Sequence, residues 1–238
     1  MDEELRELVA SLKRAHGENL VSVVLYGSLV VGDHVPDRSQ PNILVVLQRI
    51  TPEDLRLARR SLEVWQRRHP LPLYFTREEM LDARDVFPIE FLDMSAAHRV
   101  LYGEDPFTGL DIPTHNLRHQ LEFELRGKLI RLRELYIPAS QRADRLLALM
   151  TDSIVSFATL FRHVVRLYGV ADVEHAKRKV IDQLGRTLGM DVSPFHAVLD
   201  AREKKFHLSL QDADDLFARY LAAIETVIRR VDALEERP

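Results

Sequence analysis

The chain has 238 residues, of which 46% are hydrophobic, enough for one large core or two smaller ones. Its formal net charge of -4 argues against general nucleic-acid binding, which draws on a basic excess, and the absence of cysteine excludes disulfides and thiolate zinc sites. The acidic start Met1-Asp2-Glu3-Glu4 is unlike a targeting peptide, and no apolar run approaches the ~18 residues of a membrane span, so a cytoplasmic protein with no membrane partner is expected.

Leu5, Leu8, Val9 and Leu12 lie on one face of an opening helix. Leu20 to Tyr26 is a short β-rich run that stops at Gly27, as a buried strand does. Asn42 to Leu47 is a second such run, and Pro41, which lacks a backbone donor, marks where it begins. Thr51-Pro52-Glu53-Asp54 starts a helix with Thr as N-cap and Pro at the first helical position; it is expected to run to about Arg68. Leu71 to Phe75 and Ile89 to Met94 read as two further strands, with a short helix from about Arg77 between them.

Beyond the turn-rich stretch from Tyr102 to Pro113 the strand signals stop. Leu117, Leu121, Leu125, Leu132 and Leu135 keep a helical period, and a second long helix spans roughly Gln141 to Tyr168. Two shorter helices follow, one ending at Gly189 and one opened by Ser193-Pro194. A last helix near Asp212 carries Leu216, Tyr220, Ile224, Val227, Val231 and Leu234 on one stripe, which either closes the bundle or makes a homodimer. The expected fold class is α+β: a mixed sheet with helices over residues 1–112, then an all-α bundle over 113–238.

The segment Tyr26-Gly27-Ser28, followed by Ser39-Gln40-Pro41-Asn42-Ile43-Leu44-Val45-Val46, resembles the signature of the nucleotidyltransferase superfamily. That signature is a Gly-Ser turn and then Asp-x-Asp at the head of an apolar strand. The two-part architecture, and the stretches Asp85-Val86-Phe87-Pro88-Ile89-Glu90-Phe91, Leu101-Tyr102-Gly103-Glu104-Asp105-Pro106 and Glu124-Leu125-Arg126-Gly127-Lys128, resemble its kanamycin-type branch. The resemblance implies transfer of a nucleoside monophosphate, with two Mg²⁺ held by the acid pair and by a third carboxylate on a neighbouring strand. It assigns Gly27, Ser28 and Ser39 to the nucleotide: a glycine lets backbone approach phosphate, and a hydroxyl with turn N–H groups faces the anion.

Here Gln40 and Asn42 stand where the two aspartates belong. Residues two apart on a strand share a face, so the geometry is kept and the charge is lost. Two unit charges ~4 Å apart attract by about 4 kcal/mol at an effective dielectric of ~20, and a divalent ion doubles this. The sequence therefore predicts no metal site, with Mg²⁺ and a nucleoside triphosphate as cofactors only if the chain is active. Glu90 is the best match for the remnant third carboxylate, on the expected strand Ile89–Met94. The leading expectation is a catalytically impaired nucleotidyltransferase-fold protein that binds a nucleotide or phosphorylated small molecule in a cleft between its domains. An active enzyme that transfers a nucleoside monophosphate to a small molecule or protein, using Glu90 with Asp33 or Asp37 for metal, is the alternative, and a toxin–antitoxin or HEPN-related RNA module is the second.

In the helical half, Arg118, Glu122 and Arg126 fall four apart, as do Glu124 and Lys128, so this charge forms a surface ladder unless Lys128 and Arg131 grip phosphates. Gly127 inside this helix costs about 1 kcal/mol and suggests a backbone packed closely against it. Arg202 to His207 fits the Arg-x₄-His spacing of HEPN ribonucleases, a pattern that arises by chance in a chain this rich in both residues. The ten histidines otherwise show no metal-ligand spacing.

Overall fold

The computed structural model describes residues 1–27, 29–30, 40–204 and 208–234. They fall into two compact units, Met1–Pro113 and Thr114–Pro238.

The first unit opens with α1 (Asp2–His16), whose Leu5, Leu8 and Leu12 are buried, and continues into β1 (Leu20–Tyr26) and β2 (Asn42–Leu47). Helix α2 (Pro52–Leu62) starts on the expected Thr51 cap, with Asp54 completing a reciprocal capping box. It ends six residues before Arg68, the rest becoming a 3₁₀ turn at Trp65–Arg67. Then come β3 (Leu73–Thr76), α3 (Arg77–Ala83), α4 (Pro88–Ala96) and β4 (His98–Gly103). The sheet order is β3-β2-β1-β4, with β1 antiparallel to both neighbours and β2 parallel to β3.

Strand alternation builds two layers on this sheet. Val23, Leu25, Ile43, Val45 and Leu47 face α1, α2 and Trp65. Val24, Leu44 and Val46 face Met80 of α3, Phe91 and Met94 of α4, and Phe107. Both faces are covered, which is why the strands read as continuous apolar runs rather than alternating ones.

Two expectations are corrected here. Ile89 to Met94 is not a strand but most of α4, with Pro88 in the first turn and Pro88, Phe91 and Met94 buried at helical spacing. Conversely, His98–Gly103 is a strand that the sequence reading did not assign, and its last two residues were expected in the turn-rich stretch; its Val100-Leu101-Tyr102 run is short and preceded by two basic residues.

The second unit is helical: α5 (Leu117–Ala139), α6 (Ala143–Leu167), α7 (Lys177–Leu188), α8 (Ser193–Lys204) and α9 (Leu210–Asp232). Helix α6 packs against the other four. By length and hydropathy it is apolar enough to cross a membrane, yet half of that window is buried inside the chain, as in a bundle's central helix. The α9 stripe is turned inward: Leu216, Tyr220, Ile224, Val227 and Val231 are all buried, so it closes the bundle. On α6, the half-buried Ser153 hydroxyl lies 3.0 Å from the Tyr220 hydroxyl, joining the two helices by a hydrogen bond.

Candidate functional site

Strand register brings the motif residues to one end of the sheet. Tyr26 pairs with Asn42 on one side and His98 on the other, so three neighbouring strands end in the row Asn42, Tyr26, His98. These side chains project to the face carrying Val24, Leu44 and Val46, the one covered by α3 and α4.

Gly27 follows at once, with φ of 89°, a left-handed conformation that favours glycine. Its N–H donates to the Ala97 carbonyl at 2.8 Å, and its own carbonyl accepts from Val30 N–H at 2.9 Å. The turn is thereby tied to the start of β4. A Cβ on Gly27 would lie 3.2 Å from Asn42 Nδ2, so the motif glycine and the motif amide are in direct apposition.

Gln40 and Asn42 do not act as a pair. Gln40 is exposed, and its Nε2 donates to the Arg68 carbonyl at 3.4 Å, whereas Asn42 is half-buried beside Gly27. Glu90 lies exposed in the first turn of α4, so the strand alternation that set it facing the motif does not apply. No neighbour of Asn42 in its row is acidic. Among the described residues, no group of three or more His, Asp or Glu side chains is arranged to hold a metal ion. Ser28, Ser39, Asp33, Asp37 and His207 lie outside the described residues.

Sequence reasoning missed the group beside the row. His98 Nε2 lies 3.2 Å from Asp105 Oδ1, and its Nδ1 lies 2.9 Å from the Ser95 carbonyl. Carbonyl and carboxylate oxygens only accept, so each contact is a hydrogen bond through the ring nitrogen that carries the proton, and the tautomer sets which of the two is made. Its face rests on Phe107, centroids 4.8 Å apart. For Asp105, burial pulls the pKa up, but the Phe107 N–H, the His98 ring and the Thr108 hydroxyl together hold it below the usual carboxylate value. The pair joins two positions on either side of a strand and its turn, and nothing in their spacing announces it.

In α5, Lys128 has Glu124 at 4.0 Å and Arg131 has Glu134 at 2.9 Å. Glu122 takes Arg126 at 2.7 Å and Arg118 at 3.3 Å. The surface ladder therefore accounts for these charges. Gly127 is exposed, and a Cβ there would meet nothing within 4 Å, contrary to the expected close backbone. Arg202 of the Arg-x₄-His pattern donates to the Thr151 carbonyl at 2.6 Å.

No family model matches the sequence, and no curated protein does. Among solved structures, the chain is similar to spectinomycin adenyltransferase AAD(9) from Enterococcus faecialis, determined with ATP and spectinomycin. The TM-score is 0.62 at 13% identity, over 98% of this chain and 99% of that one.

Proposed function

The chain has the α+β fold of a kanamycin-type nucleotidyltransferase with its helical unit, and we propose that it binds a nucleotide or another phosphorylated small molecule without ordinary two-metal transfer. One observation carries this reading. The motif strand retains its place beside the Gly27 turn, but Asn42 meets that turn as a neutral amide between non-acidic neighbours, while Gln40 is engaged by the Arg68 carbonyl.

Amide oxygens are poor ligands for Mg²⁺, and the described residues supply no carboxylate cluster to replace them, so they do not fit a two-metal centre. What remains suits an anion. Gly27 leaves its turn without a side chain, so its backbone is open to the close approach of an anion, with the His98 ring at the same end of the sheet. The structural neighbour, determined with ATP and spectinomycin, supports a nucleotide and a small molecule as the ligand classes to test.

Isothermal titration with ATP, GTP, CTP and UTP, with and without Mg²⁺, tests the reading. Binding of at least one nucleotide is expected, with affinity insensitive to Mg²⁺ and no pyrophosphate release. The double variant Gln40→Asp/Asn42→Asp should gain Mg²⁺-dependent affinity of about tenfold or more, since each restored charge is worth over 1.4 kcal/mol toward a divalent ion. Pyrophosphate release by the unaltered protein with Mg²⁺ would overturn the impaired reading; failure of all four nucleotides to bind would overturn nucleotide recognition.

A further inference from the structure

Helix α5 carries an apolar line that the other described helices of its unit leave exposed. Phe123, Ile130 and Ile137 are 76%, 56% and 74% exposed. Spaced seven apart, they stay on one line that drifts only ~20° per step and covers about 21 Å of helix. Gly127 sits on that line between Phe123 and Ile130. Glycine weakens a helix interior, and here no neighbour within 4 Å explains it. A gap flanked by large apolar side chains is the shape that a knob from a second helix fills.

We propose that this line is the interface of a homodimer, in which two copies of α5 pack antiparallel about a two-fold axis between Gly127 and Ile130. Ile130 of each copy then enters the gap over Gly127 of the other. Phe123 lies against the stem of Glu134 and beside Ile137 of the second copy. Such an interface is self-complementary, each residue meeting its counterpart's partner.

The charges select the same occupant and the same direction. Glu124 and Arg131 lie on one flank of the line, seven residues apart. Antiparallel pairing brings Glu124 of one copy beside Arg131 of the other, twice, whereas parallel pairing turns that flank toward the opposite flank of the second helix and sets Arg131 against Arg133. Their present partners do not lock them in place: Lys128 is 4.0 Å from Glu124, and the Arg131–Glu134 pair is 66% and 57% exposed. The line is also narrow and bordered by Arg126 and Arg133, which suits a single helix seam rather than a broad apolar surface.

Sedimentation velocity on the full chain decides the matter. At tens of micromolar the mass should be twice 27.5 kDa. Gly127→Leu should raise the melting temperature of the monomer and abolish dimerisation, because it strengthens the helix and fills the gap. Glu124→Arg and Arg131→Glu should each be monomeric alone and form a 1:1 dimer when mixed, with at least tenfold higher affinity than either variant shows for itself. A monomeric unaltered protein, a dimer that survives Gly127→Leu, or a mixture that fails to pair would each overturn the proposal.

Discussion

Gly103 occupies a position that no side chain can enter. A Cβ placed there would come within 1.9 Å of the Val21 carbonyl oxygen, and its φ of 79° is left-handed as well. Val21 belongs to β1, so this glycine lets β4 close on β1 beside the register shift between Val23 and Val24. That closure sets His98 opposite Tyr26 and brings Asp105 back to the ring. Backbone is far harder to displace than a side-chain tip, so Gly103→Ala should cost at least about 3 kcal/mol in urea unfolding. Gly27→Ala meets only the movable Asn42 amide at 3.2 Å and should cost about 1–2 kcal/mol, mainly from its positive φ. Equal costs at the two glycines would show that conformation alone, and not the approach of β1, governs Gly103.

Local chemistry decided which elements could be read from the chain. Helix α2 was legible because its start is written in adjacent residues: Thr51 Oγ1 accepts from Asp54 N–H at 3.3 Å, and Asp54 accepts in return from Thr51 N–H at 2.9 Å. Thr51→Ala should therefore cost about 1 kcal/mol, while Thr51→Ser should cost only a few tenths; matching losses for both would mean the threonine methyl, not its hydroxyl, holds the helix start. The apolar stretch from Ile89 to Met94 has no such marker inside it. Six residues of this kind fit a buried strand or a buried helical face equally, and only Pro88 in the first turn of α4 resolves them. Of the candidate site, Gly27 and Asn42 were legible as a motif because both stand at strand ends. The His98–Asp105 pair and the Gln40–Arg68 bond were not, since each depends on where a distant segment returns. The α5 stripe shows the converse: the glycine was visible in the sequence, but its open surroundings were visible only in three dimensions.

At the scale of the whole molecule, one source of acid sensitivity near neutral pH is a buried histidine remote from the motif row. His16 ends α1 on the opposite face of the sheet, in the layer with α2, and is 7% exposed. Neither ring nitrogen has a hydrogen-bond partner among the described residues, and Tyr74 meets it edge-on at 6.0 Å. Burial holds its pKa below the ordinary value of 6.5, outweighing the nearby Asp54 charge that pulls it upward. Between those two values the unfolded chain binds a proton that the folded chain refuses, so stability falls as pH drops. The contribution is fully present above about pH 6.5 and is lost progressively until the folded-state pKa is passed. Melting temperature should thus decline from pH 7 toward pH 5, and His16→Phe, which keeps a flat ring of similar volume, should remove part of that decline. The difference between the two curves isolates His16 from the carboxylates that titrate at lower pH. Parallel curves for the two proteins over this range would show that the imidazole is protonated without cost and that the buried ring is not the source of the acid sensitivity.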